Sequence, residues 1–283
     1  EFARLNRKAR VQRGIDIVTD TFAVNTDVTD LSGLSFIRPD YQHKIVIGGQ
    51  KTSGHGVGKI NELGAEIARE DSDKIIEAIR TTPRFVETDA FLLIAGAAGG
   101  TGSGSMPVIA QTIKERYKDK ALYALPVLPF EHEEETEERT IYNSATCLKA
   151  VYSVADAVFL IDNQRYIGKD ASLANNMAAI NQLIAEPFYD LLCAGEEKKA
   201  KRIGARLLDA WDIMQTLSGW TVLGYSKSQL PVFKLPFRRR NFRKKSTETH
   251  KGIQAMDGAM SELSLKCNPR DAGKALYLLS APS

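Results

Sequence analysis

The chain has 283 residues, of which 43% are hydrophobic and 26% charged, with a formal net charge of +3. This is the composition of an ordinary globular protein, with enough length for one large or two medium domains. So mild a basicity makes no strong case for nucleic acid, and no apolar run approaches the roughly 18 residues that a membrane span needs.

The opening stretch "EFARLNRKARVQRG" reads as the later turns of an amphipathic helix with no N-cap before it, so the chain is expected to begin inside an element. Apolar runs then recur at 21–27, 43–49, 89–96, 121–130 and 155–163, separated by helical patterns at 62–80, 106–118 and 137–153. Several of the runs are β-branched and apolar on both faces, as strands covered by helices on both sides require. The alternation predicts an α/β fold, a Rossmann-like parallel sheet over residues 1–171 with right-handed crossovers. Ligands of such sheets bind beyond the carboxyl ends of the strands.

A long helix is expected next, over 172–200 within a central segment 172–204, with Pro187 kinking or interrupting it. Residues 205–283 read as a smaller, incomplete α+β second domain. It holds "LLDAWDIMQTLSG", an apolar "WTVLGYS", the basic run "FKLPFRRRNFRKKS", a helix near 247–263 and a closing strand "KALYLLSAP" at 274–282. The three cysteines, Cys147, Cys193 and Cys267, match neither a zinc site nor a disulfide framework. With no signal peptide legible, they point to a reducing, cytoplasmic location.

The densest local signal is "GGTGSG", Gly99 to Gly104, placed after the apolar run 89–96 and opening a helix, with Pro107 near its first turn. A helix N-terminus offers free N–H groups and a positive dipole end, and glycines let a phosphate approach them closely. Thr101 and Ser103 add hydroxyl donors. The alternative is a glycine-rich turn that serves tight packing only. Two common phosphate motifs fail on the residues: no lysine follows for a P-loop, and a third glycine is missing for G-x-G-x-x-G.

"GGTGSG" is, however, similar to the signature of the tubulin and FtsZ superfamily of GTPases. Other segments follow in that family's order: "AVNTD" (23–27), "TSGHGVGKINELGAE" (52–66) and "IDNQRY" (161–166). The combination of "GHGVG", "NELGAEIA" and "YNSA" most resembles the archaeal CetZ branch. The resemblance covers essentially the whole chain, apart from the family's first glycine-rich phosphate loop, which has no counterpart in these residues.

The resemblance implies a site for GTP or GDP built from successive strand-end loops. Gly99, Gly100, Thr101, Gly102, Ser103 and Gly104 would face the phosphates. Asn25 and Thr26 would contact them too, and Asp27 would hold Mg²⁺ through water; without the resemblance, Asn-Thr-Asp simply ends a strand and caps a helix. Gly56, Val57 and Gly58 would sense the γ-phosphate, with His55 among them a structural or solvated histidine. Glu135 and Arg139, four apart and expected on one helical face, would approach ribose and phosphate, although the acidic run 133–138 also suits a solvated helix start. Asn163 and Asn181 would read the guanine edge, since an amide offers both a donor and an acceptor. Met177 would occupy the position that the family usually gives to a stacking aromatic; a core-facing asparagine and methionine is the alternative.

Asp209 and Asp212 resemble the carboxylates of a catalytic loop that the family inserts into the next subunit's nucleotide site, while Asp209 could instead merely cap a helix. Trp211, between them, suits an interface anchor. The family therefore implies a cytoskeletal GTPase that self-associates head to tail into filaments, with adaptor proteins as a further class of partner. A nucleotide-holding scaffold with little hydrolysis is the alternative reading. The basic stretch Arg238–Lys245, with Phe237 and Phe242, reads as a solvated loop, or as a surface for an anionic partner or lateral filament contacts.

Overall fold

The computed structural model describes residues 1–167, 173–194, 196, 210–227 and 243–279, without the side chains of 173–176 and 243–250. Helix α1 (Phe2–Arg13) ends at Gly14 in a left-handed cap. Strand β1 (Ala23–Asn25), helix α2 (Val28–Ser32) and strand β2 (Lys44–Val46) follow, then helices α3 (Gly49–Thr52), α4 (Asn61–Glu70) and α5 (Ser72–Arg80). Next come β3 (Ala90–Gly96), α6 (Gly100–Arg116), β4 (Ala121–Leu128), α7 (Glu131–Thr136) and α8 (Glu138–Tyr152). The remainder is β5 (Ala157–Phe159), β6 (Ile161–Asp162), α9 (Gln164–Ile167), α10 (Leu173–Cys193), α11 (Ala210–Thr216), β7 (Gly219–Thr221) and α12 (Arg243–Ser261).

Every strand pairing is parallel. β1 and β2 form one small sheet, and β3-β4-β5-β7 form the main one, with β6 continuing β5 alongside β4. All five apolar runs become strands, and the period of 2 sorts them between two cores. Leu122, Ala124 and Val158 face the core under α4, α5, α6 and α8. Tyr123, Leu125, Ala157 and Phe159 face a second core, built with Ile180, Ile184 and Phe188 of α10 and with Ile213 and Leu217. Helix α1 covers the far side of α10 through Leu5, Ala9 and Tyr189.

Four expectations are corrected. The helical pattern 62–80 is two helices that meet at Asp71, which leaves the helical region (ψ 10°) and accepts a hydrogen bond from the Gly48 N–H at 2.7 Å. Helix α6 begins at Gly100, so the glycines are its first turns and Pro107 lies inside it. Pro187 likewise lies within α10, which runs on to Cys193. In both helices the surrounding core holds the helical path that the proline alone disfavours. Finally, no strand forms over 274–279: Leu276 packs against the second core, Lys274 Nζ donates to the Gln215 carbonyl at 2.7 Å, and Tyr277, Leu278 and Leu279 are exposed. An apolar run becomes a strand only where a sheet edge meets it. The expected helix near 247–263 forms as α12.

Ser264 helps to fasten the last segment to the sheet. Ser264 is fully buried; its Oγ donates to the Leu160 carbonyl at 2.7 Å and accepts from the Leu223 N–H at 3.0 Å. Its backbone adds bonds to Leu223 and Asp162. Ser264→Ala leaves a buried donor and a buried acceptor unpaired, so a loss of about 1–3 kcal/mol is expected. Denaturant unfolding measures it; an unchanged midpoint would show that Ser264 is not the fastener.

Candidate nucleotide site

Because every strand is parallel, the loops at their carboxyl ends gather at one end of the main sheet and its neighbour. Asn25 ends β1: its Oδ1 accepts from the Thr26 N–H at 2.8 Å and its Nδ2 donates to Asp30 at 3.1 Å. Asp27 caps α2 through Oδ1, which accepts from Thr29 N–H (2.8 Å) and Asp30 N–H (3.2 Å). The capping geometry is thus real. It occupies one carboxylate oxygen of Asp27, Oδ1. Among the described residues no cluster of three or more His, Cys, Asp or Glu could hold a metal by itself.

The loop 53–59 lies against this strand end. Gly56 N–H donates to the Thr26 carbonyl (3.4 Å), Val28 N–H to Gly54 (3.2 Å), and His55 bridges Asp27. The bridge is made by the backbone, and the His55 side chain is exposed. The loop turns through left-handed backbone at Gly54, Gly56 and Gly58, and at Lys59 with φ 63°. A Cβ at these glycines would be strained, which explains the spacing of "GHGVG".

The first turn of α6 lies against the same loops. Its leading N–H groups have no intrahelical acceptor, as at any helix start. The Thr101 hydroxyl meets that of buried Thr26 at 2.6 Å, and Ser103 Oγ turns inward onto the Gly99 carbonyl, so neither hydroxyl is aimed freely outward. Three of the four glycines are also packing residues. A Cβ on Gly100 would stand 2.6 Å from Val57 Cγ2, and one on Gly102 2.6 Å from the Gly96 carbonyl. One on Gly104 would overlap the Asn61 carbonyl oxygen, while Gly64 of α4 returns the contact against Gly100. Only Gly99, the N-cap, has open space where its Cβ would be. Tight packing therefore accounts for three glycines of the hexapeptide.

Glu135 and Arg139 do not share a helical face. Helix α7 stops at Thr136, Glu137 is extended, and α8 starts afresh at Glu138. Repulsion along six glutamates in eight residues disfavours an unbroken helix there. Glu135 is exposed, whereas Arg139 reaches back to the third loop: Nε donates to the Lys59 carbonyl at 3.2 Å, and Nη2 pairs with Glu62. Glu133 closes the N-terminus of α7, accepting from the Phe130 N–H at 2.9 Å.

On the far side, Asn163 is half-buried in the turn after β6, and its carbonyl accepts from the Tyr166 N–H at 3.1 Å. Burial pushes the Tyr166 phenol up to about 12, so it stays neutral at physiological pH. Met177 and Asn181, one turn apart on α10, are both exposed rather than core-facing. Asp209 lies outside the described residues, as do 238–242 of the basic run; Arg243–Lys245 open α12. Asp212 is exposed in the first turn of α11 beside Trp211, itself 63% exposed.

Residue reading of the sequence missed one contributor. Asn143 of α8 is fully buried, and its Nδ2 donates to both the Lys59 carbonyl (3.0 Å) and the Ala98 carbonyl (2.9 Å). A polar residue at a core position of an otherwise amphipathic helix was the available signal, visible in "YNSA".

A parallel α/β sheet with a glycine-started helix after a strand is the architecture of the doubly wound class, whose ligands bind beyond the carboxyl ends of the strands. Residues 7–169 match the Tubulin/FtsZ family, GTPase domain, and residues 170–283 match the Tubulin-like CetZ, C-terminal domain, so the chain belongs to the tubulin/FtsZ family. Tubulin-like protein CetZ5 of Haloferax volcanii is 30% identical over 94% of this chain and 69% of its own length. CetZ1 of the same organism is 36% identical over 76% of this chain and 53% of its own length. The chain thus spans between about half and seven tenths of these curated relatives. Among solved structures, the GDP-bound monomer of Haloferax volcanii CetZ1 is similar with a TM-score of 0.75 and 28% identity, over 94% of this chain and 71% of that one. The GTPγS-bound protofilament of CetZ2 is similar with the same TM-score and identity, over 93% and 71%.

The backbone contact between α4 and α6 makes a sharp prediction. Gly104→Ala forces a methyl group onto the Asn61 carbonyl, and a loss of roughly 1–3 kcal/mol or more is expected, because a packed core yields little. Thermal unfolding of the variant measures this; a melting temperature equal to that of the parent would mean that the helices are not held at backbone contact.

Proposed function

We propose that this chain binds guanine nucleotide at the carboxyl end of its parallel sheet, assembles head to tail in the cytoplasm, and hydrolyses GTP at a site that the next subunit completes. The observation that carries this reading is the position of Asp212. Helix α11 leads directly into the amino end of β7, which pairs in parallel with β5 from Gly219 onward. Asp212 therefore precedes the amino end of a strand, whereas Gly99–Gly104 follow the carboxyl end of one. With a seven-residue strand such as β3 roughly 20 Å long, this placement in the topology supports assigning Asp212 to the nucleotide loops of a neighbouring subunit. A carboxylate at one end and a phosphate cradle at the other suit a heterologous contact, which repeats as an open filament. The GTPγS-bound protofilament of the CetZ2 neighbour supports the same arrangement.

Each residue then has a task. Free N–H groups of the α6 start, with the dipole behind them, receive the phosphates. The Asn163 and Asn181 amides match the acceptor and donor edge of guanine, and exposed Met177 offers a polarizable contact to the ring. Asp27 Oδ2 is the carboxylate oxygen left for Mg²⁺, whose role when bound is to neutralise charge between the outer phosphates. Asp212 of the following subunit orients the attacking water, while exposed Trp211 beside it anchors the contact.

Specific GTP hydrolysis measured against protein concentration, with Asp212→Ala alongside, tests this. The rate per subunit should rise with concentration. The variant should lose about 10²-fold or more in rate while still binding nucleotide, as expected for removal of a group that acts on the attacking water. A flat or negligible rate with guanine nucleotide still bound would instead establish a nucleotide-holding scaffold.

A further inference from the structure

We propose that Asn143 is a positioning residue of the nucleotide site, one that makes the loop 53–59 and the Gly99 turn a single unit and so sets the preference for a triphosphate over a diphosphate. This rests on the guanine-nucleotide reading above. The two segments come from distant parts of the chain. The loop 53–59 follows α3, and Ala98–Gly99 follows β3. Asn143 joins them with one amide group, donating to Lys59 O at 3.0 Å and to Ala98 O at 2.9 Å. Two carbonyl acceptors leave no doubt about the orientation of the amide, since its oxygen in their place would be repelled by both.

The remaining atoms show that the position is not there for stability alone. Asn143 Oδ1 and Thr140 Oγ1, one turn apart on the same face of α8, are buried without a hydrogen-bond partner among the described residues. A buried orphan acceptor is costly, and an apolar side chain would avoid that cost. What an apolar residue cannot do is tie two backbone segments together. The Lys59 carbonyl is held twice from α8, by Asn143 Nδ2 and by Arg139 Nε at 3.2 Å, and Lys59 Nζ pairs with Glu137 just before that helix. Lys59 is also the non-glycine residue with φ 63°, so its backbone is held where it would not rest alone. Helix α8 thus grips the end of the loop at a strained point. Through the same asparagine it grips the residue just before the phosphate-facing N-cap.

A ligand that reaches only the α6 start gains little from this clamp. One that extends to the loop 53–59 contacts both segments at once, and meets them already in register. Loss of the clamp then lowers affinity for the longer ligand selectively, because ordering the loop falls on the binding step.

The test compares GTP and GDP binding to the whole chain and to its Asn143→Asp and Asn143→Ala variants, with a non-hydrolysable GTP analogue used for the triphosphate. The aspartate is isosteric but cannot donate to either carbonyl. The expected result is a loss of about tenfold in affinity for the triphosphate with GDP affinity nearly unchanged, the size of one or two net hydrogen bonds. Equal losses for both nucleotides, or none, would overturn the clamp and leave the nucleotide reading standing. Failure of the parent protein to bind either nucleotide would overturn both. If neither variant folds, amide exchange on the parent decides the matter. The triphosphate analogue should protect 54–60 and 98–101 together, and protection of one segment without the other would reject the coupling.

Discussion

A close approach between two backbones frames the loops around the candidate site. Helices α4 and α6 touch where Gly64, Gly100 and Gly104 have no Cβ, so carbonyl oxygens occupy the space that side chains would take. That contact brings the loop feeding α4 beside the turn feeding α6. Val57 then covers Gly100, and the hydroxyls of Thr26 and Thr101 meet. Remove the contact and the loop 53–59, the end of β1 and the glycine turn have no shared frame. A glycine-rich phosphate cradle is usually explained by the ligand's need for close approach. Here at least three of its glycines are explained by the protein's own need for it.

The second constraint is the direction of the strands. A parallel sheet puts all strand-end loops at one end and all the entries at the other. The loops that carry Asn25, Gly56, Gly99, Arg139 and Asn163 therefore converge without any of them being close in sequence. Helix α10, roughly 30 Å long for its 21 residues, packs on the second core, and α11 leads into β7.

The same geometry accounts for the balance between order and access at the site. Its inner wall is fastened by bonds from one loop to the next: Thr26 to Gly56, Thr26 to Thr101, and Asn143 to both Lys59 and Ala98. Glu135, Met177 and Asn181 are exposed instead. Bonds of this kind between loops lower the ordering cost that a ligand would meet on binding.

Much of this was legible in the residues. Apolar runs with period 2, covered on both faces, specify parallel strands, and all five formed. The glycine hexapeptide after a strand specifies a helix start with free N–H groups. Asparagine and glycine at strand ends mark the loops, because their side-chain and backbone chemistry suits few other places. These are local properties, dictated by what each residue can do with its nearest neighbours in the chain. What the tertiary structure decided are contacts between segments far apart in sequence. Pro107 and Pro187 stay helical because packing outweighs one lost backbone bond each. Glu135 and Arg139 part company because Arg139 is drawn 80 residues back to Lys59. "KALYLLSAP" has strand composition, yet over 274–279 no sheet edge pairs with it. Asn143 reads as one more helical polar residue until the fold sets two distant carbonyls against its amide. Local pattern determined which elements form and which groups line their ends. Long-range packing alone determined which of those groups meet, because a hydrogen bond or a van der Waals overlap depends on position in space and not on spacing in the chain.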